Sequence, residues 1–85
     1  MEIKARLNLQ EELDPDYIAR FVQTANQFES ELYIQVEGCH RVSAKSIMGM
    51  MNFLAGDGQD VMISAVGKDQ EEAARALALC LEGKQ

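Results

Sequence analysis

The residues of this chain best suited to chemistry are few. Ser46 opens the run Ser46-Ile47-Met48-Gly49-Met50-Met51, with Lys45 directly before it. A serine in that place is an ordinary helix N-cap, whose hydroxyl accepts one of the backbone N–H groups that a first turn leaves unpaired. It is also where a phosphate is best tolerated, because those N–H groups and the helix dipole favour negative charge. The run after it is apolar on nearly every side. With Ser46 as cap, Ile47, Met48 and Met51 share one side of the helix, while Met50, Phe53 and Leu54 point elsewhere. Only one set can enter a core. Met50 and Phe53 are therefore expected to point inward. Ile47, Met48 and Met51 are expected to be exposed as a surface for a protein partner, a use that suits the adaptable methionine side chain.

A second cluster is acidic: Glu11, Glu12, Asp14 and Asp16. Asp14 is a good N-cap, Pro15 fits the first helical position, and Asp16 favours the positive end of the dipole. An aspartyl-phosphate acceptor would need a metal-binding acidic cluster of this kind. Capping and the dipole already explain these carboxylates, and no metal or cofactor is expected. Cys39-His40 is too sparse for a zinc site. Cys39 and Cys80 form no C-x-x-C pair and are read as free thiols of a reducing compartment. No catalytic residues emerge, and the chain is not expected to be an enzyme.

These residues need a scaffold. The chain has 85 residues, nearly half of them hydrophobic, enough for one domain with one modest core. Residues 2 to 9 alternate, with Ile3, Ala5, Leu7 and Leu9 facing one way, as in a half-buried strand. Ile18, Phe21, Val22 and Ala25 recur at helical spacing, so 15 to 27 is an amphipathic helix. Residues 31 to 36 alternate with Leu32, Ile34 and Val36 inward. Glu37-Gly38 is a tight turn, and 39 to 43 is the return strand of a hairpin. The helix 46 to 54 follows, then a loop at Ala55-Gly56-Asp57-Gly58. Residues 60 to 66 form a fourth strand with Val61, Ile63 and Ala65 on one face. Asp69 can cap a last helix, 70 to 82, with Ala74, Leu77, Ala78 and Leu81 as its buried stripe. The order β-α-β-β-α-β-α predicts an α+β domain: one mostly antiparallel four-stranded sheet, helices on one face, the other face wet.

The net charge of -6 and pI near 4.6 argue against direct nucleic-acid binding, since a phosphate backbone calls for Lys and Arg. The first residues, MEIKARLNLQ, lack the apolar core of a signal peptide, and no apolar stretch approaches the ~20 residues of a membrane span. The expected setting is the cytoplasm.

Three stretches, FVQTANQFES (21–30), VSAKSIMGMM (42–51) and DVMISAVGKDQEEAARAL (60–77), closely resemble the HPr family. This is the family of the histidine-containing phosphocarrier of the bacterial sugar phosphotransferase system and of the Crh proteins of Gram-positive bacteria. The resemblance implies an open-faced β-sandwich, a four-stranded antiparallel sheet covered by three helices. It implies that Ser46 is phosphorylated by the ATP-dependent HPr kinase/phosphorylase. It further implies that Ile47, Met48 and Met51 dock onto that kinase and onto the catabolite control repressor.

The chain departs from the family at the phosphocarrier motif. The alignment puts Asp14 in the place of the histidine, Asp16 in that of the arginine and Tyr17 in that of the proline. Phosphate transfer through a phosphoramidate needs an imidazole nitrogen. An aspartate for arginine reverses the charge where a dianion would sit, and Pro15 removes a backbone donor. The one histidine, His40, falls in the hairpin. Transfer is therefore expected to be lost, as in Crh, where the histidine's replacement is neutral and the arginine stays. Asp16 would repel phospho-Ser46 if the two came within about a Debye length, ~8 Å, with Lys45 and Arg20 as partly compensating cations. A working phosphocarrier and a diverged binding module are the competing readings. The expected state is a monomer or a strand-exchanged homodimer, because an exposed first strand can pair with another chain.

Overall fold

The computed structural model describes residues 1–6, 15–36, 38–51 and 60–82. Their elements are β1 (Glu2–Arg6), α1 (Pro15–Asn26), β2 (Glu31–Val36), β3 (Val42–Ser43), α2 (Ile47–Met51), β4 (Asp60–Val66) and α3 (Gln70–Leu81). The strands lie in the order β1-β4-β2-β3, and each neighbouring pair is antiparallel. This is the expected α+β order.

Strand alternation decides which residues meet. The register sets Ile3 beside Ile63 and Ile63 beside Ile34, and likewise Ala5 beside Val61 and Val61 beside Val36. Leu32, Ile34, Val36, Val61, Ile63 and Ala65 are all buried on one face. Ile18, Phe21, Val22 and Ala25 of α1 complete the core with Ala73, Ala74, Leu77 and Leu81 of α3. The stripe of α3 takes in Ala73 and leaves Ala78 only partly buried, because this helix lies across β1, β4 and β2 at once. On the opposite face Arg41 stacks 4.2 Å from the Tyr33 ring centroid, and Arg6 pairs with Asp60 at 3.5 Å.

Several expected boundaries change. The first strand is seen as 2–6; positions 7–9, the acidic residues 11, 12 and 14, and the loop at 55–58 lie outside the described residues. Helix α1 stops at Asn26, one residue early, and α3 at Leu81. The expected return strand over 39–43 shrinks to Val42–Ser43. The Cys39 N–H bonds back to the Val36 carbonyl at 2.9 Å, with Gly38 at φ +83°, and the Gln35 side chain donates to the Cys39 carbonyl at 2.8 Å. Those bonds engage Cys39 away from the ladder, so ladder pairing begins only at Val42; Glu37 of the expected turn lies outside the described residues.

Asp69 also behaves differently from expectation. It sits at the N-cap position of α3, yet its side chain makes no capping bond. The carboxylate reaches instead to the α1–β2 connection. It accepts the Glu29 N–H at 2.9 Å, the Ser30 N–H at 3.0 Å and the Ser30 hydroxyl. Gly67, at φ +153°, lets the two connections touch: a Cβ there would lie 2.6 Å from Ser30 Cα. The Ser30 hydroxyl bond first, and then the Glu29 N–H, hold the Asp69 carboxyl below its ordinary value.

Two outcomes follow. Gly67→Ala should lower stability by about 1–3 kcal/mol in urea denaturation, since the clash is with backbone. Asp69 with a depressed folded pKa adds stability that is present above its unfolded value and lost as pH falls through the folded one. The melting temperature of Asp69→Asn should therefore lie below wild type at pH 7, and the two curves should converge as pH falls from about 5 toward 2.

Candidate functional site

Helix α2 is described over Ile47–Met51. It is held by its surroundings. The Ala44 N–H bonds to the Leu32 carbonyl at 2.9 Å, continuing the β2–β3 ladder to the edge of the helix. The Ser46 N–H then bonds to the Ser43 carbonyl at 3.2 Å, and the Ser43 hydroxyl accepts the Lys45 N–H at 3.3 Å. Met50 is buried and anchors the helix to the core against α1.

Ser46 is the N-cap. Its Oγ accepts the Gly49 N–H at 3.1 Å, and its carbonyl accepts the Met50 N–H at 2.9 Å. The serine is exposed. Beside it Ile47 is 48% and Met48 74% exposed, against 3% for Met50. The inward and outward residues thus divide as expected at these three positions. Met51 closes α2; its side chain and the whole of Phe53 and Leu54 lie outside the described residues.

Lys45 is half-buried, and its ammonium donates to the Phe28 carbonyl at 2.6 Å, just beyond the C-terminus of α1. Asn26, the last residue of α1, donates to the Lys45 carbonyl at 3.3 Å. These two bonds dock the start of α2 onto the end of α1. Asp16 and Arg20 are exposed on α1. By helix rise Asp16 stands about 15 Å along the axis from Asn26, and Arg20 about 9 Å. The end of α1 that meets Lys45 is therefore not its acidic end. The Tyr17 hydroxyl donates to the Cys80 carbonyl at 3.0 Å, pinning the start of α1 to the end of α3. Burial chiefly raises the Tyr17 phenol above its ordinary value, with Cys80 adding and Arg20 opposing.

Sequence reasoning found Ser46 and its apolar neighbours but not the Lys45–Phe28 and Asn26–Lys45 bonds. Their partners are 17 and 19 residues apart, and no periodicity marks such pairs. Cys39 and Cys80 are free, and among the described residues no group of three His, Cys, Asp or Glu side chains converges to hold a metal ion.

Comparison with known proteins accounts for this arrangement. A family model described as the PTS HPr component phosphorylation site matches residues 1–82. The chain belongs to the HPr family. Members of this family are phosphocarrier and regulatory proteins rather than enzymes. The HPr-like protein Crh of Halalkalibacterium halodurans is 38% identical over 82 residues, covering 96% of each chain. The crystal structure of the phosphocarrier protein HPr from Bacillus anthracis superposes with a TM-score of 0.86 at 37% identity, covering 95% of each chain. The Bacillus subtilis Crh crystal structure, described as a swapped dimer, has a TM-score of 0.79 at 32% identity, covering 98% of this chain and 97% of that one. The HPr fold, a four-stranded antiparallel sheet with three helices, is thus shared with these two solved structures. Among the described residues no helix is long and apolar enough to cross a membrane.

Stability measurements should separate the three roles on α2. Met50→Ala should cost about 2–5 kcal/mol as a buried truncation. Ser46→Ala should cost about 1 kcal/mol as a lost cap. Met48→Ala should stay within about 0.5 kcal/mol, as for an exposed side chain. Urea denaturation of the three variants checks the order.

Proposed function

We propose that this HPr-family chain is a Crh-like regulatory phosphoprotein of carbon catabolite control in a Gram-positive-type bacterial cytoplasm. In this reading Ser46 is the phosphorylation site and the protein acts through contacts with other proteins. The observation that carries it is the pairing, on one surface, of an exposed capping serine with the exposed side chains of Ile47 and Met48. Exposed Ile and Met beside a modifiable hydroxyl suit a partner that reads both shape and charge. Met51 belongs to the proposed contact surface on the strength of the family resemblance, and Lys45 and Arg20 belong to it as cations that partly compensate the acidic residues of the first helix.

The chemistry is a kinase's, with this chain as substrate. Ser46 Oγ attacks the γ-phosphorus of ATP, the bond to the ADP oxygen breaks, and the serine proton passes to a base on the HPr kinase/phosphorylase. The new dianion lies where the Gly49 N–H already points at Oγ, so the fold should tolerate it. The catabolite control repressor is the proposed reader of the modified form.

Loss of phosphate transfer is part of the proposal. His40 is exposed in the β2–β3 connection and is not placed at a helix N-terminus. Asp14 and Asp16 stand where the family motif has histidine and arginine. No metal, cofactor or direct nucleic-acid contact is invoked. Strand exchange into a homodimer is proposed beside the monomer, because among the described residues β1 is an edge strand paired with β4 alone.

Incubation with HPr kinase and ATP should place one phosphate on Ser46 by mass spectrometry and none on Ser46→Ala. Absence of labelling would favour a diverged binding module. Enzyme I and phosphoenolpyruvate should leave no acid-labile phosphate on the chain, and Asp14→His alone should restore little, since Pro15 and Asp16 remain.

A further inference from the structure

The Lys45 ammonium joins two places that the proposed function treats separately. Its nitrogen lies 2.6 Å from the Phe28 carbonyl, and its backbone directly precedes Ser46. The carbonyl it meets follows the last turn of α1, where the negative end of the dipole favours a cation. The Phe28 N–H is itself bonded to the Ala25 carbonyl at 3.3 Å, and the next two amides, Glu29 and Ser30, are held by Asp69. One lysine therefore supports the connection through which α1 enters β2.

We infer that Lys45 is the internal counter-ion of phosphorylated Ser46, and that modification draws its ammonium from the Phe28 carbonyl and loosens the α1–β2 connection. A neutral carbonyl competes poorly with a phosphate of charge about -1.5 to -2, because the ammonium gains from a full opposite charge a Coulomb attraction that a carbonyl dipole cannot match. The lysine stem is long and flexible, and the two residues are adjacent, so the ammonium can change partner by side-chain rotation alone. Asp69 is committed to Glu29 and Ser30, so the connection keeps one of its two tethers and loosens without unfolding. A mark on Ser46 would thus be felt on β2 and α3 as well as at the α2 surface.

The inference rests on Ser46 as the modified residue, so phosphoserine is best installed at position 46 by chemical ligation, independent of any kinase. A failure of kinase labelling would then count against the regulatory reading and leave this test intact. The second phosphate pKa, followed by phosphorus NMR, should be lower in the wild-type phosphoprotein than in Lys45→Met by about 0.5 or more. Phosphorylation should speed hydrogen exchange of the Glu29 and Ser30 amides roughly threefold or more in the wild type. Unmodified Lys45→Met should already show the faster exchange, and phosphorylation should add nothing to it. Equal phosphate pKa values in the two proteins would overturn the counter-ion role. A lowered pKa with unchanged exchange would overturn the release of Phe28.

Discussion

Strand β4 carries the constraint on which the rest depends. It is paired along both edges, to β1 and to β2, and its Val61, Ile63 and Ala65 are fully buried. Because the side-chain period of a strand is two, a slip of one residue would turn all three to solvent and bring Met62 and Ser64 into the core. The register of the sheet is thereby fixed by hydrophobic burial. Both long helices take their positions from the surface that results.

The register is reinforced at one end by a polar contact. The last rung of the β2–β4 ladder pairs Glu31 with Val66, and the adjacent residues Ser30 and Gly67 touch directly. Asp69 joins them by accepting bonds from Glu29 and Ser30. A carboxylate that would ordinarily cap its own helix instead binds two connections together. Ser30 is buried at this corner, where an amide without a partner would be costly.

The functional surface is the far end of the same chain of contacts. The register of β2 places Ala44 and Ser43, these place Ser46, and Ser46 starts α2. Lys45 and Asn26 then fasten α2 to α1. Among the described residues Met50 anchors the inner side of this helix, which leaves Ile47 and Met48 exposed without loss of the core. A short helix with an apolar outer side is tolerable because its inner side and its cap do the holding. Exposure of such residues gives a protein partner something to bury, while the serine hydroxyl supplies a place to change the charge.

Much of this was legible in the sequence, and the physical reason is local periodicity. Alternation in 31–36 and 60–66, and helical spacing in Ile18, Phe21, Val22 and Ala25, specified which residues enter the core before any partner was known. The Ser46 cap was legible because capping is a short-range interaction between residues three apart. The motif that includes it carried the family. What the sequence left open involves partners distant along the chain. Asp69 turned from its helix to Ser30 because the fold brings two connections into contact, and Gly67 is needed only once they touch. The return strand shortened because the Cys39 N–H and carbonyl are bonded to Val36 and to the Gln35 side chain and are not part of a longer ladder. Lys45 was visible as a charge beside a serine, but its attachment to Phe28 exists only after α1 and α2 have packed. Most of the residues that fill the core, Ala73 excepted, and the cap of α2 were therefore determined by sequence alone, because burial and capping are read one element at a time. The tertiary structure alone decided which polar groups would satisfy one another between elements, because those bonds depend on distances that only the finished packing sets.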